Sequence, residues 1–202
     1  MELSKNNSRI SEAMRSSILQ NARELFSKYG YKKTTMDDIS STLQRGKSSL
    51  YYYFKCKEDI FLAVLEGEED VLFTKLKEVV AAPITAQDKL RQYVLVRMGT
   101  IRTLENYHKA LKDQLFEGIE LFQAMMHKSE KQEIDLLKII IQEGLDSGEF
   151  TLHNVEMAAF GIGTSLKGLE IPLFRGSDTP DEFNVKLENV LNILFYGLVT
   201  RK

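Results

Sequence analysis

Apolar residues recur every three or four positions along most of the chain. Over residues 9–29 they form a single stripe, consisting of Ile10, Met14, Ile18, Ala22, Leu25, Phe26 and Tyr29. That spacing places the apolar side chains on one face of an α-helix. No segment shows the strict alternation that indicates a strand. The pattern therefore predicts an all-α fold of about nine helices.

Three short helices are predicted before residue 57. Gly30 ends the first helix, and Thr34 or Thr35 can cap the second. After a break at residues 44–46, a third helix runs from Lys47 to about Phe54. Two short helices joined by a three-residue turn and supported by a first helix are typical of a helix-turn-helix.

The third predicted helix has two unlike sides. Leu50 and Phe54 lie four residues apart and face inward, whereas Tyr51 and Tyr53 flank that buried side. The side chains left pointing outward are Lys47, Ser48, Ser49 and Tyr52. A small, polar and positive edge of this kind suits the major groove of DNA.

Longer helices follow. Pro83 ends a fourth helix that begins near Lys57, an eighth covers residues 155–169, and a ninth covers about residues 181–200. The stretch IPLFRGSDTP between the last two is predicted to be a loop. We therefore expect a helix-turn-helix domain at residues 1–56 and a larger helical domain at residues 57–202.

The net charge of −2 hides an uneven distribution. Residues 1–57 contain eleven Lys or Arg and five Asp or Glu, whereas residues 58–202 contain sixteen and twenty-four. The first part is therefore basic and the second acidic. This asymmetry indicates an anionic partner for the first part only.

Other classes of protein find little support. The chain has no apolar run long enough for a membrane span, its first ten residues lack the core of a signal peptide, and Cys56 is the single cysteine. His108, His127 and His153 show no metal-binding spacing, and no glycine-rich phosphate loop is present. We expect a cytoplasmic protein that is not an enzyme and has no cofactor.

Two segments, ILQNARELFSKYGYKKTTMDDIS and KSSLYYYFKCKEDIF, carry a resemblance to a known family. They contain an Ala-x-x-Leu-Phe helix, a Gly-aromatic turn, paired threonines, a Leu-Tyr-x-Tyr-Phe run and a Lys-x-Lys-Glu. Residues 10–61 thereby resemble the TetR family of bacterial transcriptional regulators. The chain departs from the family pattern at Gln44-Arg45-Gly46, where Gly-Val-Ser is usual, and at Cys56, where a small hydroxyl residue is usual.

The resemblance implies a ligand-responsive regulator, by family default a repressor, that binds a palindromic operator in double-stranded DNA as a homodimer. Two recognition helices would enter successive major grooves about 34–36 Å apart. The residues expected to read bases are Lys47, Ser48, Ser49, Tyr52 and Arg45. Those expected to contact phosphates are Thr34, Thr35, Tyr51, Tyr53 and Lys57.

The resemblance also places a small-molecule effector, partly apolar, in the second domain. Candidate lining residues are Tyr93, Met98, Tyr107, Phe122, Met125, Met126 and Phe160, although such residues are more often plain core. Arg97, Arg102 or Lys167 could instead hold an anionic ligand. The last two helices would form the dimer interface, with Gly161, Leu187, Leu191, Leu194, Phe195 and Leu198 as candidates.

A second class of function stays open. A helical adaptor could use the same basic end to bind a protein or an anionic surface. The polar character of residues 47–49 argues against insertion into a membrane. A steep dependence of DNA binding on salt would favour the regulator, whereas binding only to anionic vesicles would favour the adaptor.

Overall fold

The computed structural model describes residues 2–43, 47–113, 120–174 and 179–196. They form nine α-helices: α1 (Glu2–Tyr29), α2 (Met36–Thr42), α3 (Lys47–Tyr53), α4 (Lys57–Ala81), α5 (Ala86–Thr103), α6 (Glu105–Asp113), α7 (Glu120–Asp146), α8 (Val155–Phe174) and α9 (Pro180–Tyr196). These ranges contain no strand, so the prediction of an all-α fold is confirmed. None of the helices in these ranges is both long and apolar enough to cross a bilayer.

Local chemistry sets several helix ends. Gly30 has a φ of 81°, in the left-handed region that glycine adopts without steric cost, and its N–H donates to the carbonyl of Phe26 at 2.9 Å. The carboxamide oxygen of Asn154 accepts from the N–H of Met157 at 3.0 Å, which caps α8. Both helix ends lie where the sequence pattern predicts them.

The eighth helix is longer than expected. It continues to Phe174 and includes Pro172, although proline removes a backbone hydrogen bond and favours a helix end. Leu166 and Leu173 are both buried and lie two turns apart on one face. Burial of this apolar face offsets the local cost of the proline. Residues 175–178 of the predicted loop lie outside the described residues, and its last residue, Pro180, begins α9.

One compact unit consists of Met1–Asp70 together with Leu104–Ala110. Its core is built from side chains of α1 to α4, namely Ile18, Ala22, Phe26, Ile39, Leu50, Phe54, Ile60, Phe61, Val64 and Leu65. The rings of Phe26 and Phe61 meet edge to face with centroids 4.9 Å apart. The unit thus has an apolar core of its own, on which the helix-turn-helix is supported.

The first turn of α6 belongs to this same unit. Buried Glu68 of α4 accepts from the side-chain amide of Asn106 at 2.9 Å and from the N–H of Tyr107 at 2.8 Å. A carboxylate at a helix N-terminus satisfies N–H groups that have no partner within the helix. Glu68 therefore fixes the start of α6 beside α4.

The other compact unit consists of Val71–Thr103 and Leu111–Lys202. In it α7 packs against α5 and α8, and α5 also contacts α8 and α9. Its buried apolar residues include Leu90, Val94, Met98, Ile101, Leu137, Ile140, Ile141, Leu166, Leu187 and Leu191. These units differ in their bounds from the functional domains predicted at residues 1–56 and 57–202, which stay a prediction.

Candidate DNA-binding interface

A capping box fixes the start of α2. The hydroxyl oxygen of Thr35 accepts from the N–H of Asp38 at 3.2 Å, and the carboxylate of Asp38 accepts from the N–H of Thr35 at 2.8 Å. The hydrogen bond from the Thr35 side chain also lowers the pKa of Asp38. Of the two threonines predicted as possible caps, Thr35 is the one that caps the helix.

The short helix α3 has the two sides that its sequence predicts. Leu50 and Phe54 are buried in the core of the first unit, and Arg15 lies over the ring of Phe54 with its guanidinium carbon 5.4 Å from the centroid. On the outer side Ser48 is exposed, and Tyr52 is 80% exposed. This side of α3 is the candidate surface for base contacts.

The remaining candidates on α3 are placed at its flanks. Tyr51 is half exposed, whereas Ser49 and Tyr53 are partly buried. The rings of Tyr52 and Tyr53 lie edge to face with centroids 5.0 Å apart. Arg45 and the side chain of Lys47 lie outside the described residues, so their roles in base reading stay predictions.

Two of the residues expected to contact phosphates have partners inside the protein. Thr34 is only 2% exposed, and its hydroxyl donates to the carbonyl of Gly30 at 2.9 Å. The ammonium of Lys57 donates to the carbonyls of Tyr31 and Thr34, both at 2.9 Å, and lies 4.2 Å from the centroid of the Tyr31 ring. These contacts join the α1–α2 turn to the start of α4, so the surroundings of both residues support a structural role.

Tyr31 makes a second connection to α4. Its hydroxyl donates to the carboxylate of Glu58 at 2.5 Å, and its ring packs against Phe26 and Phe61. Burial and the neighbouring carboxylate raise the pKa of Tyr31, whereas the hydrogen bond lowers the pKa of Glu58. Tyr31 therefore stays protonated and Glu58 ionised over a wide pH range, which preserves this contact.

Three further cations are candidates for phosphate contacts. Lys32 and Lys33 are exposed in the turn before α2, and Lys55 is exposed just before α4. Exposed ammonium groups can neutralise phosphate charge without reading sequence. The sequence signal for them is the dense run of cations between residues 28 and 57, of which the family resemblance implied only Lys57 as a phosphate contact.

The predicted effector residues differ in burial and fall in both units. Tyr93, Met98 and Met125 are buried in the second unit, but Tyr107 belongs to the first unit. Phe160 is 46% exposed. Phe122 and Met126 are partly buried. Because helical spacing reports only that a face is apolar, it could not tell core from surface here.

The predicted dimer residues divide in the same way. Leu187 and Leu191 are fully buried within the second unit, whereas Gly161 is exposed and Phe195 partly buried. The side chain of Leu194, and Leu198 as a whole, lie outside the described residues. The apolar residues that α8 and α9 expose are others, which the sequence reasoning did not name as dimer contacts: Met157, Phe160, Val185, Ile193 and Tyr196.

Comparison with known proteins agrees with this arrangement. The family pattern described as bacterial regulatory proteins of the tetR family matches residues 18–64, which cover the last part of α1, all of α2 and α3, and the start of α4. The regulator QacR of Staphylococcus aureus is 28% identical over 162 residues, which cover 77% of this chain and 84% of QacR. The chain belongs to the TetR family of bacterial transcriptional regulators.

Two further similarities show what this TetR-family member shares with known proteins. The negative transcriptional regulator IcaR of the Staphylococcus epidermidis biofilm operon is 45% identical over 54 residues, or 27% of this chain and 29% of IcaR. FadR of Bacillus subtilis, solved with stearoyl-CoA, has a TM-score of 0.74 at 21% identity, covering 91% of this chain and 99% of that one. The first similarity is confined to about a quarter of the chain, and the second shows the common fold.

Proposed function

We propose that this TetR-family regulator is a repressor that binds a palindromic operator as a homodimer. A small molecule that binds the second unit would change the affinity of the protein for the operator, either releasing the DNA or promoting its binding. The observation that carries the proposal is the exposed side of α3, held on a buried core by Leu50 and Phe54. Repression is also stated in the name of IcaR, the relative with 45% identity over 54 residues. Because the target is chromosomal DNA, the working protein would be cytoplasmic, and no catalytic step is part of the proposal.

In this proposal α3 enters the major groove. Ser48 and Tyr52 lie on its outer side and are exposed, so they reach base edges without disturbing the core. Lys47 begins α3, and the N-terminal residues of a recognition helix are those that approach the bases. Lysine prefers guanine and serine discriminates little, so Lys47 and Tyr52 would supply most of the sequence preference.

Phosphate contacts would come from exposed hydroxyl and ammonium groups around the same helix. Thr35, Tyr51 and the partly buried Tyr53 keep the role that the family resemblance implies, and Lys55 joins them because it is exposed just after α3. Lys57 contributes indirectly, by holding the α1–α2 turn against α4. These contacts fix the register of the protein on DNA and add a strong dependence on salt.

The dimer would form through the outward faces of α8 and α9. Met157 and Val185 are each 61% exposed, and Tyr196 is 70% exposed. Large exposed apolar side chains indicate a surface that another protein covers. A second copy of the chain supplies the same two helices, and a two-fold axis then presents two copies of α3 to one palindrome.

Selection of bound sequences from a random pool of double-stranded DNA tests this function. We expect an inverted repeat whose half-sites lie about one helical turn apart. Tyr52→Ala should change the preferred base within each half-site, and Lys55→Ala should weaken all sequences alike and reduce the salt dependence. Lys75→Ala removes the same charge from an exposed position of the second unit and serves as the control. Winning sequences without symmetry, or binding to anionic vesicles alone, would reject the proposal.

A further inference from the structure

The second unit buries three charged side chains from three different helices. Arg97 of α5 is 2% exposed, and it lies between Glu133 of α7 and Glu170 of α8, both also buried. Its Nε donates to Glu133 at 2.8 Å and one terminal nitrogen donates to Glu170 at 2.5 Å. Burial by itself would lower the pKa of Arg97, but the two carboxylates outweigh it and raise that pKa.

This cluster carries one negative charge too many when both carboxylates are ionised. The nearby pair of Lys167 and Glu130, 3.5 Å apart and partly exposed, adds one charge of each sign and leaves the excess unchanged. An uncompensated buried charge is costly, so such a group takes up a proton or binds a counter-charge. Burial accordingly raises the pKa of Glu170, although Arg97 opposes the shift.

A second observation at the same place is the hydroxyl of Tyr93. This residue lies one turn before Arg97 on the same face of α5, and the charges of Glu133 and Arg97 act on its hydroxyl. Tyr93 is fully buried, yet its hydroxyl has no hydrogen-bond partner among the described residues. A buried polar atom without a partner is rare in folded proteins and calls for an explanation.

We propose that the effector carries a cationic group, which binds beside Glu170 and Glu133 and uses the Tyr93 hydroxyl as a hydrogen-bond acceptor. The inference rests on the proposed function, since it assigns the chemistry of the effector that the second unit binds. Before the cation binds, a proton on Glu170 balances the charge. When the cation binds, the O–H bond of the carboxyl breaks, the proton leaves to water, and the carboxylate faces the ligand.

The same contacts disfavour an anionic effector. The sequence offers Arg97, Arg102 and Lys167 as partners for an anion, but each of the three is engaged. Arg97 is held by two carboxylates, Lys167 lies beside Glu130, and Arg102 lies over the ring of Phe183 with its guanidinium carbon 4.8 Å from the centroid. An anion at this place would meet the carboxylate of Glu133 and the carboxyl group of Glu170, neither of which attracts it, before it reached any of these cations.

Three ligands of equal length test the charge directly: decylammonium, decanol and decanoate, titrated calorimetrically into the full-length protein below their aggregation concentrations. We expect decylammonium to bind at least about tenfold more tightly than the other two, because a buried charge pair adds to the apolar contact. Its apparent heat should vary with the ionisation enthalpy of the buffer, as release of a proton requires. Tighter binding of decanoate, equal binding of all three, or binding of none would overturn the proposal.

Variants assign the effect to this cluster. Glu170→Gln keeps a side chain that can accept from Arg97 but removes the charge, so it should abolish the advantage of decylammonium and the proton release. Glu156 lies on α8, as Glu170 does, and forms an exposed ion pair with Lys138 of α7. Glu156→Gln is therefore the matched control, and it should change neither the advantage of decylammonium nor the proton release. If the two variants behave alike, the cation binds elsewhere and the proposal fails.

Tyr93→Phe provides a variant that is safe for folding, because the hydroxyl it removes has no hydrogen-bond partner among the described residues. We expect a loss of about three- to tenfold in decylammonium affinity with decanol binding unchanged. An unchanged affinity would remove Tyr93 from the site and overturn the proposed geometry. The DNA selection described above is independent of these titrations, so loss of the inverted repeat rejects the proposed function, whereas tighter binding of decanoate rejects only the cationic effector.

Discussion

The two units of the protein use their cations in opposite ways. In the first unit Lys57 donates to two backbone carbonyls in the turn that precedes the helix-turn-helix, and Lys32, Lys33 and Lys55 stay exposed. In the second unit Arg97 is withdrawn from solvent and held by two carboxylates. The first arrangement keeps positive charge at a surface for an anionic polymer. The second buries the charge of Arg97 in a core, where its contribution to stability depends on the two carboxylates, although other cations of this unit, such as Lys75, are exposed.

The position of a basic residue in the sequence therefore does not show whether its side chain is available to bind a ligand. A partly exposed ion pair contributes little to stability, whereas a charge left without its partner in a core is strongly destabilising. The contrast predicts large effects of substitutions in the second unit, moderate effects in the turn of the first unit, and small effects at its surface.

The largest effect is expected for Arg97→Met. It leaves Glu133 and Glu170 buried without a cation, which should lower the free energy of unfolding by about 3–5 kcal/mol. Urea denaturation at a fixed protomer concentration measures the change. Arg91 lies on α5, as Arg97 does, and forms a partly exposed ion pair with Glu188 of α9. Arg91→Met should therefore cost less than about 1 kcal/mol. Equal effects of the two variants would remove the contrast between buried and surface pairs.

A smaller effect is expected for Lys57→Met, which keeps the apolar stem but removes two hydrogen bonds to carbonyls. We expect a loss of about 1–3 kcal/mol, because charged donors to partly buried acceptors contribute more than neutral ones. Hydrogen exchange of the amides in α2 and α3 reports on this unit alone. Lys55→Met, at an exposed position, is the control. If Lys57→Met is as stable as the wild type but binds all DNA sequences more weakly, Lys57 contacts phosphates rather than stabilising the turn.

Thr35→Ala should cost about 1 kcal/mol, the usual value for loss of an N-cap side chain. The capping box then loses the hydroxyl, although the carboxylate of Asp38 still accepts from the backbone N–H of residue 35. Thr35→Ser retains the hydroxyl and should be nearly neutral. Thermal unfolding followed by circular dichroism compares the two, and equal losses would mean that the methyl group rather than the cap matters.

Glu170→Gln should have the smallest effect on the free energy of unfolding at acid pH. The difference from the wild type should grow as the pH rises toward neutral. A carboxyl whose pKa is raised by folding stabilises the protein fully below its unfolded pKa, and this contribution is lost as the pH rises through the folded pKa. The wild type should therefore lose stability relative to the Gln variant above about pH 4, the unfolded Glu value. The groups that face Glu170 are Arg97, Glu133 and Lys167.

Urea denaturation of both proteins at several pH values between 4 and 8 measures this difference. Glu156→Gln offers a comparison of opposite sign, because Lys138 lowers the pKa of Glu156, so any stabilisation is lost as the pH falls. A difference between wild type and Glu170→Gln that is constant with pH would show that Glu170 has the same pKa in the folded and unfolded chain.

Much of the architecture could be read from local signals. Helical periodicity predicted the all-α fold, Gly30 and Asn154 marked helix ends, and the four-residue spacing of Leu50 and Phe54 defined the buried side of α3. Each of these depends on residues within a few positions of one another. The prolines of IPLFRGSDTP predicted a loop that begins too early, because the burial of Leu173 that carries the helix past Pro172 is a tertiary effect.

Local sequence patterns specify where most helices form, which side of α3 is exposed, and that a basic segment, residues 1–57, precedes an acidic one, residues 58–202. Which charged groups remain accessible to a ligand depends on contacts between helices that are distant in the sequence. Arg97 meets carboxylates 36 and 73 residues away, and Lys57 meets carbonyls 26 and 23 residues away. A local pattern fixes the direction in which a side chain points, but the partner is supplied by another helix, and pairs at such separations leave no signature in a single sequence.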